Sequence, residues 1–457
     1  MTTAAAYPRY RASGLPWAPQ LPEDWKVLRN GRLFGHRVET GFPALPILEV
    51  SLRTGVRVRN MENLRRKQVL GQKDKYKRAV KDDIAYNMMR MWQGALGPAP
   101  VDGLVSPAYV VVKPFTEANS AYFSYLFRTA AYMREVNKFS RGIVADRNRL
   151  YWESFKQMPS LVPPRPEQDQ IVAYLRAQDA HIARFIKIKR DLIALLTEQK
   201  LRIIDQAVTR GLDAAVALKP SGVEWLGEVP EHWELRRLKF LASNTTNQTT
   251  TKTSDEIYLA MEHVQSWTGV ARPLEGVVEF ASTVKRFVAD DVLFGKLRPY
   301  LAKVTRAKCN GVCVSEFLVL RSRGEIILPA YLELLLRCKR VIDLINSSTA
   351  GAKMPRADWT FIGNVRLPIP HKDEQEAILS HIEIETKDLG EAITRTEDEI
   401  KLIREYRDRL IADAVTGQVD VRGWRPGPDD VVGDDELAAL GDEETEPTYE
   451  EDADGDE

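Results

Sequence analysis

Two long stretches of this 457-residue chain carry a helical pattern of apolar residues and contain no proline. The first runs from Glu167 to Arg210, and the second, residues 371–416, contains a single glycine, Gly390. Apolar residues recur in both at steps of three and four, which is the spacing of a coiled-coil seam. The predicted seam residues are Ile171, Leu175, Ile182, Phe185, Leu192, Leu196 and Ile203 in the first stretch, and Ile378, Ile382, Leu389, Ile403 and Leu410 in the second.

Helices of this length need a partner. A helix from Glu167 to Arg210 would extend for about 65 Å at about 1.5 Å per residue, and long isolated helices are marginal in water. We therefore expect the two helices to pair antiparallel as a coiled coil, with one mixed domain at each end. The alternative is that each helix only covers its own domain.

The segments before each helix show a different pattern. Residues 26–160 and 234–366 contain short β-branched runs that Gly and Pro interrupt, alternating with short helical stretches. The strand runs include Tyr109–Val112 and Phe317–Leu320, and the helical stretches include 118–135 and 328–345. We expect two compact domains of mixed helix and strand.

The chain is a tandem duplication. The segment SGLPWAPQLPEDW (13–25) returns 208 positions later as SGVEWLGEVPEHW (221–233), and further matches follow in the same order along the chain. A period of this size repeats a whole domain rather than a solenoid unit. Residues 35–80 and 243–285, in contrast, share almost nothing. The tryptophans of the motif, Trp17, Trp25, Trp225 and Trp233, are better suited to packing each domain against the helices than to contacting bases.

The even balance of charge hides an uneven distribution. The chain has 65 basic and 65 acidic residues, but residues 427–457 hold 15 acidic residues and no basic one. The remaining residues carry 65 basic and 50 acidic side chains, a net charge of +15, which suits a polyanionic partner. The acidic tail is too charged to pack and is predicted to be disordered. It either aids solubility or competes with DNA for the basic surface.

The cysteines and the hydropathy narrow the class of protein. All three cysteines lie in the second repeat, which argues against a disulfide framework. Cys309 and Cys313 lack the further ligands that a zinc site needs, so no metal site is predicted. No stretch approaches the roughly 18 uncharged apolar residues of a membrane span, and we expect a cytoplasmic protein.

The sequence predicts no catalytic residues. It contains no phosphate-binding loop of the G-x-x-x-x-G-K-[ST] type, no G-x-G-x-x-G, no H-E-x-x-H and no G-x-S-x-G. The Asn/Asp/Ser-Pro-Pro-aromatic motif of amino-methyltransferases is also missing.

Basic, amide and aromatic residues in the mixed domains form the candidate DNA-binding set. Lys and Arg contact phosphates, whereas Arg recognises guanine and Asn or Gln recognises adenine in the major groove. The candidates are Arg57, Arg59, Asn63, Arg65, Lys75, Tyr76, Lys77, Asn87, Arg90 and Arg147 in the first domain, with Arg141 and Arg149 nearby, and Lys252, Gln265, Lys296, Arg298, Tyr300, Lys303, Lys353 and Arg356 in the second. Any single one of them could equally be an ordinary solvated surface charge.

Four motifs, each present twice, resemble the specificity subunit of type I restriction-modification systems. They are the P-E-x-W entry, the D-D-[IV] stretch with its Arg, the Pro-rich exit into E-Q, and the helix that ends in A-V-T and Gly. The resemblance covers residues 10–420. It implies an α/β (α+β) fold with an internal pseudo-two-fold repeat, in which two long antiparallel helices form a coiled coil that separates two target-recognition domains.

The same resemblance implies the function and the division of the chain. Each domain would recognise one half of a bipartite, asymmetric DNA site, and the chain, itself not catalytic, would dock two methyltransferase subunits and restriction subunits of a phage-defence complex. S-adenosylmethionine, ATP and Mg²⁺ would belong to those partners. The predicted segments are 1–20 (N-terminal segment), 21–164 (first recognition domain), 165–213 (central helix), 214–228 (linker), 229–370 (second recognition domain), 371–420 (C-terminal helix) and 421–457 (acidic tail).

Two other functions stay open at this stage. One is a stand-alone DNA methyltransferase or nuclease whose active site has an unrecognised form. The other is a structural adaptor in which the coiled coil is the function and the mixed domains bind protein. The acidic tail is not a feature that the resemblance explains.

Overall fold

The computed structural model describes residues 6–52, 55–59, 73–142, 148–274, 283–349 and 354–430. The chain divides into two compact units, and each unit takes a share of both long helices. Unit 1 consists of the residues up to Arg190 and those from Asp398 onward, and unit 2 consists of Asp191–Glu397.

Unit 1 is built mainly from antiparallel strands with short helices. Its strands are β1 (Tyr10–Leu15), β2 (Ala18–Pro22), β3 (Lys26–Arg29), β4 (Phe34–Arg37), β5 (Leu48–Ser51), β6 (Gly55–Val58), β7 (Lys77–Ala79), β8 (Ile84–Asn87), β9 (Leu96–Pro98), β10 (Gly103–Val105), β11 (Tyr109–Pro114) and β12 (Pro159–Val162). Its short helices are α1 (Ser120–Phe127), α2 (Ala130–Phe139) and α3 (Trp152–Phe155). The central sheet has the order β4-β11-β8-β9.

Unit 2 repeats this order of elements. The first long helix, α4 (Arg165–Arg210), leads into it. Its strands are β13 (Leu218–Pro220), β14 (Glu228–Pro230), β15 (Glu234–Arg237), β16 (Ala242–Thr245), β17 (Gln248–Thr249), β18 (Ile257–Leu259), β19 (Val284–Phe287), β20 (Val292–Gly295), β21 (Val304–Arg306), β22 (Gly311–Cys313), β23 (Phe317–Ser322) and β24 (Arg366–Ile369). Its helices are α5 (Leu238–Leu241), α6 (Pro329–Arg337), α7 (Lys339–Ser347) and α8 (Trp359–Ile362), followed by the second long helix, α9 (Lys372–Val415).

The duplication extends from the sequence to the sheet topology. The central sheet of unit 2 has the order β16-β23-β20-β21, and each of its strands begins 208 positions after its counterpart in β4-β11-β8-β9. Residues 214–228, predicted as a linker, contain part of the hairpin β13-β14, which matches β1-β2. Because the pairs in both central sheets are antiparallel, the mixed domains are of the α+β kind.

Each predicted short helix is interrupted once. The stretch 118–135 forms α1 and α2, because Thr129 has extended backbone angles and its side chain caps α2 by accepting a hydrogen bond from Tyr132 N. The stretch 328–345 forms α6 and α7, and the extended ψ angle of Cys338 separates them. Neither interruption involves the Gly or Pro that usually signals one.

Within each unit, α4 and α9 pair antiparallel. In unit 1, Asp179 binds Arg407 (Oδ1 to Nε, 2.6 Å) and Lys189 binds Glu399 (2.5 Å), so residue numbers rise along one helix as they fall along the other. In unit 2, the amine of Lys200 lies against Gly390. The predicted fold class, mixed domains with two long antiparallel helices, is confirmed.

The predicted seam needs one correction. Ile171, Leu175, Ile182, Ile378 and Ile382 are buried, and Leu196, Ile203, Leu389, Ile403 and Leu410 are half-buried. Phe185 and Leu192, however, are exposed, because the helix turns the next residue inward, and Ile186 is fully buried instead. Phe185 and Ile186 are adjacent and both apolar, so a seam with steps of three and four residues can pass through either of them.

Neither long helix is apolar enough to span a bilayer, and the same is true of every other helix among the described residues.

Candidate nucleic-acid interface

The repeated tryptophan motif is part of the scaffold. Trp25 and Trp233 are buried, and each indole N–H donates to a glutamate near the start of a long helix. The Nε1–Oε1 distance is 3.1 Å from Trp25 to Glu167 and 3.0 Å from Trp233 to Glu374. Both tryptophans therefore pack a mixed domain against a helix, as the sequence indicates.

One buried tyrosine in each mixed domain donates a hydrogen bond to the long helix of the other repeat. The hydroxyl of Tyr122 donates to the carbonyl of Val415, at the end of α9, at 3.0 Å. The hydroxyl of Tyr331 donates to the carbonyl of Val208, near the end of α4, at 3.1 Å. Because a helix leaves its last carbonyls without intrahelical partners, these bonds satisfy groups that would otherwise be buried unpaired.

A glutamine at the beginning of each long helix completes the scaffold. Gln168 Oε1 accepts from the backbone N–H of Asn119, and its Nε2 donates to Pro163 O, both at 2.9 Å. Gln375 makes the same two kinds of bond, to Leu328 N at 2.9 Å and to Pro370 O at 3.0 Å. We call the Trp–Glu, Tyr–carbonyl and Gln bonds of both units the anchor contacts.

A pair of aspartates fixes the turn before the central strand of each sheet. Asp82 and Asp290 have left-handed backbone angles, with φ values of 71° and 69°. The carboxylates of the next residues, Asp83 and Asp291, accept from backbone N–H groups three positions earlier, at 2.8 and 2.9 Å. Asn and Asp tolerate this conformation better than most residues, which explains why the D-D pair occurs in both repeats.

The turn aspartates also hold an arginine in each unit, although the arginines come from different strands. Arg37 on β4 binds Asp83 at 2.5 Å, and Arg321 on β23 binds Asp291 at 2.8 Å. The hydrogen bond to Asp291 raises the pKa of Arg321. The two arginines thus bind equivalent aspartates, although they stand at non-equivalent positions in the two repeats.

In unit 2, three predicted residues, Lys296, Arg298 and Arg356, come together where β20 ends. The backbone N–H of Arg298 donates to Pro355 O at 2.8 Å, and that of Ala357 donates to Lys296 O at 3.0 Å. Tyr300 follows in the next turn and is 45% exposed. These four residues, Lys296, Arg298, Tyr300 and Arg356, form what we call the unit 2 corner.

Charge in the unit 2 corner is only partly compensated. Arg356 binds Glu316 (Nη2 to Oε1, 2.9 Å), and its side chain stays 56% exposed. A backbone hydrogen bond from Thr360, with a smaller effect of Lys296, lowers the pKa of the neighbouring Asp358. Arg356 and Tyr300 are exposed, and Lys296 and Arg298 are half-buried. A cluster of two arginines, a lysine and a tyrosine has the donors and the aromatic face that nucleic-acid surfaces use.

Unit 1 has a corner at the equivalent place, which shares two arginines and one backbone bond with the unit 2 corner. Arg90 and Arg149 stand where unit 2 has Arg298 and Arg356, whereas Met88 replaces Lys296. Leu150 N donates to Met88 O at 2.9 Å, the counterpart of the bond from Ala357 to Lys296. Arg141 and Arg149 pair through their backbones at 3.0 and 2.9 Å, and both are exposed. We call Arg90, Arg141 and Arg149 the unit 1 corner.

Several predicted residues are occupied inside their own domain. Lys77 donates to Tyr109 O at 2.7 Å, and its burial lowers the pKa of its amine. Asn87 is buried and accepts from Met89 N at 2.9 Å, and Lys303 donates to Met261 O at 2.6 Å. Lys252 donates to Glu256 O at 2.7 Å. We conclude that these four side chains stabilise loops and strands.

The other predicted residues are more exposed or are not described. Arg57 binds Glu49 at 2.5 Å from an exposed position on β6, whereas Arg59 is mostly covered and lies 3.9 Å from the same carboxylate. Lys75 and Gln265 are exposed, and Tyr76 is half-buried. Asn63, Arg65, Arg147 and Lys353 lie outside the described residues.

Unit 1 also has an arginine-lined groove of about 700 Å³. Its lining includes Arg128, Arg134, Arg404, Arg407 and Arg409, together with Asp408. Arg407 is paired with Asp179, and burial raises the pKa of Asp408. Arginines outnumber the acidic residue in this lining, so the groove adds to the basic character of unit 1.

Sequence reasoning missed the scaffold role of Glu167, Gln168, Glu374 and Gln375, although E-Q is repeated at an offset of 207. The tryptophan that binds each glutamate lies 142 or 141 positions away in the chain, so the sequence around the E-Q pair gives no sign of the contact. Among the described residues, no three His, Cys, Asp or Glu side chains cluster in a way that would hold a metal ion.

Comparisons with known proteins agree with the motifs. The type I restriction enzyme EcoDI specificity subunit of Escherichia coli is 22% identical over 218 residues, 47% of this chain and 48% of that protein, so the match spans about half the length of the relative. No protein-family model matches the chain. The resemblance to type I specificity subunits is confirmed.

A solved structure shares the fold. A chain from a structure that describes complex assembly and conformational transition of the type I R-M system superposes with a TM-score of 0.55 at 14% identity, covering 86% of this chain and 98% of that one. The HsdS subunit from Thermoanaerobacter tengcongensis gives a TM-score of 0.38 at 15% identity, covering 87% and 98%.

Proposed function

We propose that this chain is the DNA sequence-recognition subunit of a type I restriction-modification complex. Each unit recognises one half of a bipartite, asymmetric site, through its corner and the loops around it. The observation that supports this most strongly is the combination of identical anchor contacts with different corners. Such a design keeps two domains in equivalent settings while it lets the two half-sites differ.

The corners supply the chemistry for both kinds of contact. Arg298, Arg356 and Lys296 in unit 2 can pair with phosphates, and an arginine can also bind guanine through two hydrogen bonds. Tyr300 adds an exposed ring beside them. In unit 1, Met88 takes the place of a lysine, so we expect fewer phosphate contacts or different bases there.

The repeated scaffold also fits two copies of one partner. Equivalent surfaces on the two repeats can dock two methyltransferase subunits, and the complex then recruits restriction subunits. S-adenosylmethionine, ATP and Mg²⁺ would be bound by those partners, and the target adenine would be flipped into a methyltransferase pocket. The chain itself would not be catalytic.

Exchanging one recognition domain tests the assignment. Residues 35–160 are replaced by those of a relative that retains a tyrosine at position 122, and methylated sites are mapped in cells that carry the complex. We expect one half-site to change and the other half-site and the spacing to stay the same. The matched control exchanges residues 243–365 and should change the opposite half-site. If either exchange left both half-sites unchanged, the assignment would be wrong.

Two binding measurements separate the other functions. A stand-alone methyltransferase would bind S-adenosylmethionine as a purified chain, which we do not expect. A protein adaptor would show no salt-dependent binding of DNA, whereas a DNA-recognition subunit should show log K falling linearly with log salt as counterions are released.

A further inference from the structure

Arg128 and Arg337 occupy equivalent positions in the two repeats. They lie 209 positions apart, as do the anchor tyrosines Tyr122 and Tyr331. Arg128 directly follows α1, and Arg337 is the last residue of α6. The two arginines therefore belong to the part of the chain that both repeats keep.

Arg337 is buried and forms an ion pair on its own helix. Its side chain is 8% exposed and that of Glu333 is 16% exposed, and Nη1 of Arg337 donates to Oε1 of Glu333 at 2.8 Å. Burial lowers the pKa of Arg337 and raises the pKa of Glu333. A buried ion pair adds little net stability, because desolvation offsets the attraction between the charges. The role of this pair is therefore better judged from its contacts than from its stability.

A hairpin from the segment in which the two repeats differ lies against this ion pair. We call residues 264–271 the variable hairpin. Val264 pairs antiparallel with Ala271, and the N–H of Gln265 donates to Val270 O at 2.9 Å. Gln265 is exposed, so the variable hairpin presents an amide side chain at the surface of unit 2.

Gly269 brings the turn of the variable hairpin close to Arg337. Its φ of 73° is left-handed, a conformation that glycine adopts without strain. An added Cβ at Gly269 would overlap the guanidinium of Arg337 and would lie 2.5 Å from Oε1 of Glu333. Because no side chain fits there, the turn rests directly on the ion pair.

Two further contacts fix the same turn. Thr305 is buried, and its Oγ1 donates to the carbonyl of Gly269 at 2.7 Å. Trp267 has a left-handed φ of 65°, which is rare for a bulky residue, and packs against the main apolar cluster of unit 2. The conformation of the turn is thus imposed by the residues around it.

The variable hairpin begins beside the unit 2 corner. Lys303 stands in the loop between β20 and β21, which carries three of the four corner residues. Its amine donates to the carbonyl of Met261, three residues before the hairpin, at 2.6 Å. The start of the hairpin is therefore fixed to the loop that carries the corner.

Arg128 makes the same kind of contact in unit 1. Its Nη2 donates to the carbonyl of Leu52, directly after β5, and an added Cβ at Gly55 would lie 3.7 Å from its Nη1. Gly55 begins β6 and has a left-handed φ of 80°. Ser124 takes the place of Glu333, so unit 1 lacks the ion pair but keeps the arginine. In both units the same arginine supports a left-handed glycine in the segment that differs.

We propose that Arg337 is a positioning residue for DNA recognition, which holds the variable hairpin so that Gln265 meets the half-site of unit 2. Arg128 holds the hairpin of β5 and β6 in the same way. A glutamine amide binds adenine through two hydrogen bonds, which requires a fixed orientation. Arg337 itself does not touch DNA. The proposal rests on the proposed function and adds how a shared scaffold orients the segments that differ.

Two variants of the full chain test the support of the variable hairpin. Glu333→Gln with Arg337→Met removes both buried charges, whereas Gly269→Ala keeps the ion pair and displaces the turn. We expect hydrogen exchange at the amide of Gln265 to be about tenfold faster in each variant, because the hairpin opens more readily. Gly269→Ala leaves α6 unchanged, so the test stands even if the loss of the ion pair prevents folding.

DNA binding by the same variants tests the role in recognition. The preference for DNA with only the unit 2 half-site intact, over DNA with neither half-site, should fall about tenfold, as the loss of one pair of hydrogen bonds to a base would give. The preference for the unit 1 half-site and the salt slope should stay the same, because no phosphate contact is lost.

A cycle with Gln265→Ala separates positioning from a general loss of structure. Gln265→Ala alone should lower the unit 2 preference about tenfold. Adding Glu333→Gln and Arg337→Met should lower it no further, since the arginine acts through the hairpin. Arg128→Met is the matched variant and should lower only the unit 1 preference. Arg323→Met, at an exposed position before α6, is the control and should change neither.

Three outcomes would overturn the proposal. Unchanged exchange at Gln265 in both unit 2 variants would show that the ion pair does not hold the hairpin. Faster exchange with an unchanged unit 2 preference would show that the hairpin takes no part in recognition. Additive losses in the cycle would show that Arg337 affects binding by another route. If the unsubstituted chain preferred neither half-site, the proposed function would be refuted, whereas the exchange rates would still decide whether the ion pair holds the hairpin.

Discussion

Unit 1 and unit 2 agree in how they are held and differ in what they expose. Both have the same order of strands in the central sheet. In each unit a buried tryptophan donates a hydrogen bond to a glutamate of a long helix, and a tyrosine donates one to a carbonyl near the end of a long helix. The lengths of the equivalent bonds agree within 0.1 Å. Their corners share one backbone bond and two arginines and differ elsewhere. Met88 stands at the position of Lys296, and the N–H of Arg90 donates to Asn87 O, whereas that of Arg298 donates to Pro355 O. We infer that the scaffold fixes position and leaves the exposed loops free to vary.

The difference extends to the strands next to each corner. Unit 2 has a second four-stranded sheet, β17-β19-β22-β18, whereas unit 1 pairs β5 with β6 and β10 with β7 separately. This is the region in which the two repeats cannot be aligned by eye. A second small apolar cluster supports it in each unit, around Phe287 and Phe317 in unit 2 and around Leu48 and Val111 in unit 1.

Substitution of the two buried tryptophans should have the largest effect on stability, and it tests whether the two units share one scaffold. Trp25→Ala and Trp233→Ala each remove a fully buried ring and should cost about 3–5 kcal/mol in the free energy of unfolding. We expect the two losses to agree within about 1 kcal/mol when urea unfolding is followed. Glu167→Gln and Glu374→Gln keep an acceptor and serve as milder controls. Strongly unequal losses would show that the two scaffolds are not equivalent.

The corners should respond separately. Arg298→Ala with Lys296→Ala should weaken DNA binding about tenfold and lower the salt slope by about 1–2, because phosphate contacts are lost. Arg141→Ala with Arg149→Ala should do the same in unit 1. Binding to DNA in which only one half-site is intact, measured over a range of salt concentrations, assigns each pair to a half-site.

A control for the corners uses the exposed Lys401 on α9. Lys401→Ala removes a charge away from both corners and should leave binding and the salt slope unchanged. If both corner pairs affected the same half-site, the two units would not divide the site between them.

The tyrosine anchors should have a smaller effect. Tyr122→Phe and Tyr331→Phe each leave a buried helix carbonyl without its donor, at a cost of about 1–3 kcal/mol. Unfolding free energies of the two variants should be similar. Tyr300→Phe removes an exposed hydroxyl and should change stability by less than about 0.5 kcal/mol. A loss for Tyr122→Phe alone would mean that only unit 1 depends on this bond.

Gly390 gives the smallest expected effect and a change in the opposite direction. The equivalent residue in α4 is the buried Ala183, and an added Cβ at Gly390 would meet the amine of Lys200 at 3.5 Å, an ordinary contact. Gly390→Ala should therefore stabilise the protein by about 0.5–1 kcal/mol in thermal unfolding. Ala183→Gly is the converse variant and should destabilise it. A loss of stability in Gly390→Ala would show that Lys200 needs the space.

The sequence predicts the elements with a strong period and leaves the exact contacts open. The apolar pattern predicts long helices at 167–210 and 371–416, and the structure has them at Arg165–Arg210 and Lys372–Val415. Tyr109–Val112 and Phe317–Leu320 begin the strands β11 and β23. A long uninterrupted helical pattern or a dense run of β-branched residues is enough to predict these elements, even where single residues would fit either a helix or a strand.

The interface was harder to predict because it depends on tertiary contacts. Lys77 and Asn87 have the residue types of DNA contacts, but Tyr109 O and Met89 N occupy them. Arg298 and Arg356 meet only because residues 355–357 pair with the end of β20. Composition identifies the kind of surface, and the pairing of distant segments decides which members of the set are exposed together.

The anchor contacts that join each mixed domain to the long helix of the other repeat affect the order in which the two units can fold during synthesis. Unit 2 is one continuous segment, Asp191–Glu397, whereas the core of unit 1 includes Ile411, Ala414, Val415 and Val421 from beyond it. A ribosome adds about 5–20 residues per second, so these residues follow Arg190 after a delay of about 10–40 seconds. The unit that begins the chain must therefore wait for its last helix turns, and the unit encoded in the middle is the first that can be completed.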